Sequence, residues 1–169
     1  MYKRLYILLM AHSLRTHGVL LRRLIEHLDG AVEQTYVNAG LDYRPRFTPI
    51  VRALLEHGPA SLRALSGYTG VTHSAVSQTV SQMTTRNWLS LEPGTDGRER
   101  IAVLTPFALE RLPVLERCWA ATEVASRSLD EDIGQPLADV LVRALDALDR
   151  RPLADRLTAA LSPNEGAVQ

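Results

Sequence analysis

The sequence predicts a mainly α-helical fold with one small β-hairpin. Apolar residues recur at helical spacing over most of the 169 residues, whereas residues 89–104 alternate like a pair of short strands. The composition, 46% apolar and 22% charged, is that of an ordinary globular protein. At roughly 150 residues per domain, this length predicts one domain with helical extensions.

Two helices are predicted in the first third of the chain. The first spans Leu14–Tyr36 by its apolar period, and Gly40 ends it. The second opens at Thr48, a capping hydroxyl that is followed by a proline at the first helical position, where no N–H bond is needed. It stops at Gly58. Its predicted apolar stripe consists of Ile50, Val51, Leu54 and Leu55.

Two shorter helices follow, joined by a tight turn. Ser61 caps the third helix, and Thr72 caps a fourth that runs to about Trp88. Gly70 suits a turn that requires a positive φ. A helix-turn-helix needs a small residue, a glycine four positions later and an aliphatic residue six further on. The chain supplies all three, as Ser66, Gly70 and Val76.

A charged hairpin follows the helix pair. Leu89–Glu92 and Arg100–Leu104 alternate like strands, and residues 93–97 between them, Pro-Gly-Thr-Asp-Gly, are typical of a turn. Two short helices followed by such a hairpin indicate a winged helix-turn-helix.

The terminal segments are predicted to be dimerisation helices. Their apolar stripes, in residues 5–10, 20–28 and 137–148, exceed what one small winged domain can cover, so they need a partner surface. We therefore expect a single domain over residues 1–169. Within it, the winged helix-turn-helix spans about 41–105, dimerisation helices span about 1–40 and 106–161, and a tail occupies 162–169.

Charge is distributed unevenly along a chain whose formal net charge is zero. Residues 1–40 and 41–105 each carry a net charge of +2, and residues 106–169 carry −4. A neutral chain can therefore still present a basic face to a nucleic acid. No apolar run reaches the ~18 residues that a membrane span requires. The single cysteine fits a reducing compartment, and we expect a cytoplasmic protein.

The fourth helix has the polar face that reading DNA requires. Small or amide-bearing side chains at its start could enter the major groove, and Gln78 could bond adenine bidentately. The candidate DNA-binding residues on this helix are Thr72, His73, Ser74, Ser77, Gln78, Ser81 and Gln82. Residues 73–83 contain no Arg or Lys, so phosphate contacts would have to come from Arg86, Arg63, Arg44, Arg46 and the hairpin. The alternative is an ordinary solvated helix face.

The hairpin loop supplies the remaining candidates. Arg98 could enter the minor groove, where the negative potential is strongest, and Arg100 is a further candidate for DNA contact. Asp96 is expected to support the wing by pairing with an arginine or by accepting loop N–H groups. A generic charged turn is the alternative for this loop.

These motifs, in this order, resemble the MarR family of multiple-antibiotic-resistance regulators. Asp96-x-Arg98 followed by Leu104-Thr105 matches the family's wing pattern, and Val71–Val80 is similar to its recognition helix. Residues 40–46, followed by the helix at Pro49, are similar to the segment that enters its winged domain. The chain departs from the family at Asn87 and Ala108, where glycine is common, and at Gln78 and Gln82, where arginine is frequent.

The resemblance implies a sequence-specific DNA-binding transcriptional regulator. It implies a homodimer on a palindromic operator of double-stranded DNA, usually as a repressor that a small aromatic or anionic effector releases. It places base contacts at Ser74, Ser77 and Gln78, and minor-groove insertion at Arg98. The competing interpretation is a winged-helix dimer that binds protein or a small molecule without specific DNA binding.

Other chemistry finds little support in the sequence. Tyr36, Tyr43 and Trp119 could line an effector pocket, or could be ordinary core aromatics. No two histidines stand at i, i+3 or i, i+4, so we expect no metal site, and we expect no cofactor. Cys118 lies in an apolar stripe, which favours a buried thiol over a redox sensor. No catalytic residues are assigned, and we expect that the protein is not an enzyme.

Overall fold

The computed structural model describes residues 16–94 and 99–162, which form two compact units divided between Ala120 and Ala121. Five features of the sequence interpretation lie outside the described residues: the helix start at Leu14, the apolar stretch 5–10, Asp96, Arg98 and the tail beyond residue 162. The described part is mainly helical with a small antiparallel sheet, and this confirms the predicted fold class.

The elements of the first unit follow the order of a winged helix-turn-helix. They are α1 (His17–Asn38), a 3-10 turn (Pro45–Phe47), α2 (Thr48–His57), β1 (Ala60–Ser61), α3 (Leu62–Thr69), α4 (His73–Thr85), β2 (Leu89–Pro93) and β3 (Arg100–Leu104). Helix α5 (Pro106–Ile133) begins in this unit and includes Pro113 in its interior. The second unit contains α6 (Leu137–Arg150) and α7 (Leu153–Leu161).

The sheet has three antiparallel strands in the order β1-β3-β2. Strands β2 and β3 pair from Leu89 opposite Leu104 to Pro93 opposite Arg100, as the predicted hairpin requires. Strand β1, which pairs Ala60 with Ala102, was not predicted. Two residues are too few to show a period of two, so the pairing becomes visible only in the structure.

The helix-turn-helix turn is built as the sequence predicts. Ser61 caps α3, accepting the Ala64 N–H at 3.2 Å, and Gly70 ends it in the left-handed region with φ +66°. Helix α4 ends at Thr85, three residues before the predicted limit at Trp88. Asn87 is the physical reason: it adopts φ +58°, which breaks the helix and directs the chain into β2.

The core of the first unit is built around aromatic rings. Trp88 is 1% exposed, and its ring meets Tyr43 edge-on at 4.8 Å and Phe107 at 5.8 Å. Val76, Val80 and Met83 bury the predicted inner side of α4, whereas Leu55 was wrongly assigned to a buried stripe and is 41% exposed. Leu55 lies on the outer side of α2, and its neighbour Leu54 occupies the side that faces the core.

Hydrogen bonds hold the turns of the second unit. The Leu137 N–H donates to Asp130 Oδ1 at 2.9 Å, which ties the start of α6 to the end of α5. Arg156 donates to the carbonyls of Ala147 and Arg151 at 2.9 Å and 3.0 Å, which ties α7 to the end of α6. Large apolar side chains on both helices are exposed in the single chain: Leu141, Val142, Leu145, Leu148, Leu153, Leu157 and Leu161.

Candidate nucleic-acid interface

Helix α4 presents a polar face to solvent. Thr72 caps it, with its hydroxyl accepting the Ala75 N–H at 3.4 Å. Val76, Thr79, Val80 and Met83 hold the opposite side in the core, so the helix cannot rotate without exposing them. The predicted contact residues consequently face outward; the exposed ones are Thr72, His73, Ser74, Ser77, Gln78 and Ser81.

Gln82 differs from the other candidates on α4. It is only partly exposed, and its side-chain oxygen is buried with no hydrogen-bond partner among the described residues. A buried amide oxygen without a donor costs free energy, so this side chain would gain from a donor that residues 16–94 and 99–162 of the single chain do not supply.

Arg86 lies at the end of α4, but its guanidinium is engaged within the chain. Its Nε donates to Asp42 Oδ1 at 3.2 Å, and Nη1 donates to the Gln82 carbonyl at 3.4 Å. The group also lies over the Phe47 ring, 5.9 Å from the ring centre. Arg86 is therefore less available to phosphate than the sequence alone suggests.

The other predicted phosphate contacts are distributed around α2 and α3. Arg63 on α3 and Arg46 are exposed. Arg44 forms an ion pair with Glu33 of α1, in an open cleft that Asp29, Pro45 and Arg46 complete. This cleft carries two carboxylates and two guanidiniums, so it is not a simple cationic surface.

The two arms of the hairpin lie close together at Gly94. The Gly94 N–H donates to the Glu99 carbonyl at 2.8 Å, just beyond the paired residues Pro93 and Arg100. A Cβ at position 94 would lie 3.1 Å from Glu99 Cβ and 3.2 Å from its carbonyl oxygen. The close approach of the two arms thus leaves little room for a side chain at position 94. Arg100 is exposed, while the predicted tip residues Asp96 and Arg98 lie outside the described part.

The three aromatic residues considered for an effector pocket belong to the core. Tyr36 and Tyr43 are each 1% exposed, with ring centres 4.8 Å apart, and Trp119 is 9% exposed. Burial raises the pKa of both tyrosine hydroxyls, and hydrogen bonding to Thr48 opposes the rise. The buried Trp119 Nε1 lies close to the Tyr36 hydroxyl, and its weak hydrogen bond there also opposes the rise in the pKa of Tyr36. A pocket at these residues stays a prediction.

Sequence reasoning missed two residues that organise the interface. Trp88 donates from Nε1 to the Asp42 carbonyl at 2.8 Å, while the Asp42 side chain receives Arg86. Asp42 therefore joins the segment before α2 to the end of α4 and the start of β2. The apolar character of Trp88 could have indicated a core position, but no local pattern marks Asp42.

Other kinds of site find no geometric support in residues 16–94 and 99–162. No three His, Cys, Asp or Glu side chains there are grouped to hold a metal ion. None of the helices in that part is long and apolar enough to cross a bilayer. Cys118, the single cysteine of the sequence, is buried.

Comparison with known proteins agrees with this geometry. The MarR family model matches residues 48–99, which run from the start of α2 to the residue before β3. No curated protein matches the sequence. The PcaV transcriptional regulator from Streptomyces coelicolor, crystallised with its natural ligand, is similar in structure. Its TM-score is 0.61 at 23% identity, over 79% of this chain and 95% of that one.

Two further solved structures share the fold. A probable transcriptional regulator from Pseudomonas aeruginosa has a TM-score of 0.54 at 23% identity, over 79% of this chain and 96% of that one. The transcriptional repressor CouR, bound to a 23-mer DNA duplex, has a TM-score of 0.61 at 14% identity, over 83% and 96%.

The fold and the outward polar helix define a winged helix-turn-helix protein. The family match over residues 48–99 agrees with the resemblance found in the sequence, so the winged segment of this chain is similar to that of the MarR family.

Proposed function

We propose that the protein is a sequence-specific DNA-binding transcriptional regulator. The observation that carries the proposal is the outward polar face of α4, which starts at the capped Thr72 and includes Ser74, Ser77 and Gln78. Such a helix can enter the major groove with its first turns, and an amide at Gln78 can read adenine. The hairpin beside it would carry Arg98 to the minor groove.

We propose further that the active form is a homodimer on a palindromic operator. Helix α1 exposes Leu20, Leu21, Ile25 and Leu28, and only Tyr36 of its 22 residues is buried. Leucines on α6 and α7 are exposed as well, and so many exposed large apolar side chains are more than a monomer normally leaves in water. A twofold pair would set the two α4 helices about 34–36 Å apart, one turn of B-DNA.

The proposal that the protein represses transcription, rather than activating it, follows from the family resemblance. We propose a repressor that a small aromatic or anionic effector releases, with Tyr36, Tyr43 and Trp119 as the candidate pocket. The buried Trp119 Nε1 supports it, since an anionic group would be a stronger acceptor for this N–H than the Tyr36 hydroxyl. The structure of PcaV with its natural ligand supports ligand binding on this fold.

Selection of bound sites from a random DNA pool tests the proposal. We expect a palindrome with half-sites about 10 base pairs apart and an affinity that falls steeply with salt, because neutralised phosphates release counterions. Arg98→Ala should weaken binding substantially, while Arg127→Ala, an equal charge change on exposed α5, should not. Absence of any enriched sequence at low salt would reject the proposal.

A second candidate function is a winged-helix dimer that binds protein or a small molecule without specific DNA binding. Two observations favour it: residues 73–83 contain no Arg or Lys, and both Arg44 and Arg86 are paired with carboxylates. The same selection separates the two functions, since this alternative predicts no enrichment at any salt concentration.

A further inference from the structure

The turn between α3 and α4 contains a hydrogen bond that the helix-turn-helix pattern does not require. Ser66 Oγ, on the last turn of α3, donates to the carbonyl oxygen of Val71 at 2.6 Å. An alanine at this position would satisfy the requirement for a small residue equally well. The hydroxyl therefore adds a specific link across the turn.

The bonded carbonyl belongs to the residue that directly precedes the cap of α4. Thr72 begins that helix, with its carbonyl accepting the Val76 N–H at 2.9 Å. The Val71 N–H is held in turn by Thr69 Oγ1 at 3.3 Å, and Thr69 Oγ1 itself donates to the Leu65 carbonyl at 2.7 Å. Both peptide groups of Val71 are thus fixed by side chains of α3.

Packing alone does not fix this point of the chain. The Val71 side chain is 38% exposed, and the residues on either side of it, Gly70 and Thr72, are exposed as well. The core contacts of α4 begin only at Val76, more than one helical turn further on. The direction in which the first turn of α4 leaves α3 therefore depends on the hydrogen bonds of the turn.

We propose that Ser66 is a positioning residue for DNA recognition, which acts through the Val71 carbonyl to fix the first turn of α4. The proposal rests on the proposed function, because it assumes that Ser74 and Ser77 meet base edges. Base-edge contacts depend on angle and distance more steeply than phosphate contacts do. Loss of the hydroxyl should therefore reduce discrimination between sequences more than it reduces affinity for DNA in general.

The test compares Ser66→Ala and Ser66→Thr with the wild-type chain on two duplexes. One duplex carries the sequence selected by the wild type and the other is scrambled. Ser66→Ala should bind the selected duplex roughly 3- to 10-fold more weakly, the range expected for one lost hydrogen bond, and should bind the scrambled duplex unchanged. Ser66→Thr, which keeps the hydroxyl, should restore the ratio. Ser128→Ala, at an exposed serine of α5, is the matched control.

The outcomes separate this inference from the proposed function. Failure of the wild type to bind either duplex rejects the function itself. An unchanged ratio in Ser66→Ala, equal losses on both duplexes, or a threonine variant that behaves like alanine overturns the positioning role. Amide hydrogen exchange at residues 71–76 gives an independent readout, and it should become faster in Ser66→Ala at a temperature where both chains stay folded.

Discussion

Asp42 Oδ1 accepts a hydrogen bond from Arg86 Nε at 3.2 Å, and the backbone carbonyl of the same aspartate accepts the Trp88 Nε1 proton at 2.8 Å. One residue thereby secures both the last turn of α4 and the start of the hairpin. In a DNA-binding protein this arrangement has an electrostatic consequence, because the carboxylate neutralises a cation that stands beside the proposed recognition helix.

Asp42→Asn should strengthen non-specific DNA binding. The Asp42 side chain is 70% exposed, so the pair contributes little to stability, at most about 1 kcal/mol, and removing its charge frees Arg86 for phosphate. We expect up to about fivefold tighter binding at low salt and a salt dependence steeper by about one counterion. Fluorescence anisotropy titrations across salt concentrations measure both.

Asp149→Asn provides the control for that prediction. It makes the same change in net charge at an exposed position of α6. Equal gains in affinity from the two variants would show that net charge, and not the release of Arg86, is responsible.

The two tryptophans should respond differently to replacement by phenylalanine. Trp88 is buried and hydrogen-bonded to the Asp42 carbonyl, while Trp119 Nε1 makes only a weak hydrogen bond with the Tyr36 hydroxyl. Both variants lose ring volume, but only Trp88→Phe leaves a carbonyl unpaired. We expect it to lower the free energy of unfolding by about 1 kcal/mol more than Trp119→Phe does, measured by urea denaturation. A larger loss in Trp119→Phe would contradict this account.

Asn87→Gly should stabilise the protein. Asn87 adopts φ +58°, a conformation that costs a residue with a Cβ more than it costs glycine, although asparagine tolerates it better than most. We expect the free energy of unfolding to rise by about 0.5 kcal/mol in Asn87→Gly. In Asn87→Ala we expect it to fall by a similar or larger amount. Urea denaturation of the three chains measures both changes. A loss of stability in the glycine variant would mean that the asparagine side chain contributes more than its backbone costs.

The helix-turn-helix was predictable because its determinants are local. The caps at Ser61 and Thr72, the glycine at position 70 and the apolar spacing of α4 each act within a few residues. The Asp42 link and the pairing of β1 with β3 were not predictable, because they join segments about 40 residues apart. The predicted length of α4 was too long because the helical apolar spacing continues to Trp88. The positive φ of Asn87, which ends the helix, is not visible in that spacing.

The candidate interface was predictable in its residue types but not in its available charge. Outward exposure of Ser74, Ser77 and Gln78 follows from the burial of Val76 and Val80 on the opposite side of the same helix. Which arginines are available to DNA depends instead on carboxylates that lie far away in the sequence. Glu33 pairs with Arg44 and Asp42 with Arg86, and neither pairing has a sequence spacing that would reveal it.

Gly94→Ala should impair DNA binding while leaving the fold intact. The new Cβ would lie 3.1 Å from Glu99 Cβ and 3.2 Å from the carbonyl that accepts the Gly94 N–H, so the two arms of the hairpin must move apart. This shift occurs at the exposed end of the sheet, and we expect a stability cost of about 1 kcal/mol or less. It also occurs next in sequence to the loop that carries Arg98, so affinity for the selected duplex should fall as it does in Arg98→Ala.

Gly30→Ala, in the interior of α1 with open space at its Cβ, should instead stabilise the chain by about 0.5–1 kcal/mol and leave DNA binding unchanged. Retention of full affinity by Gly94→Ala would mean that the spacing of the hairpin arms does not govern how the wing meets DNA.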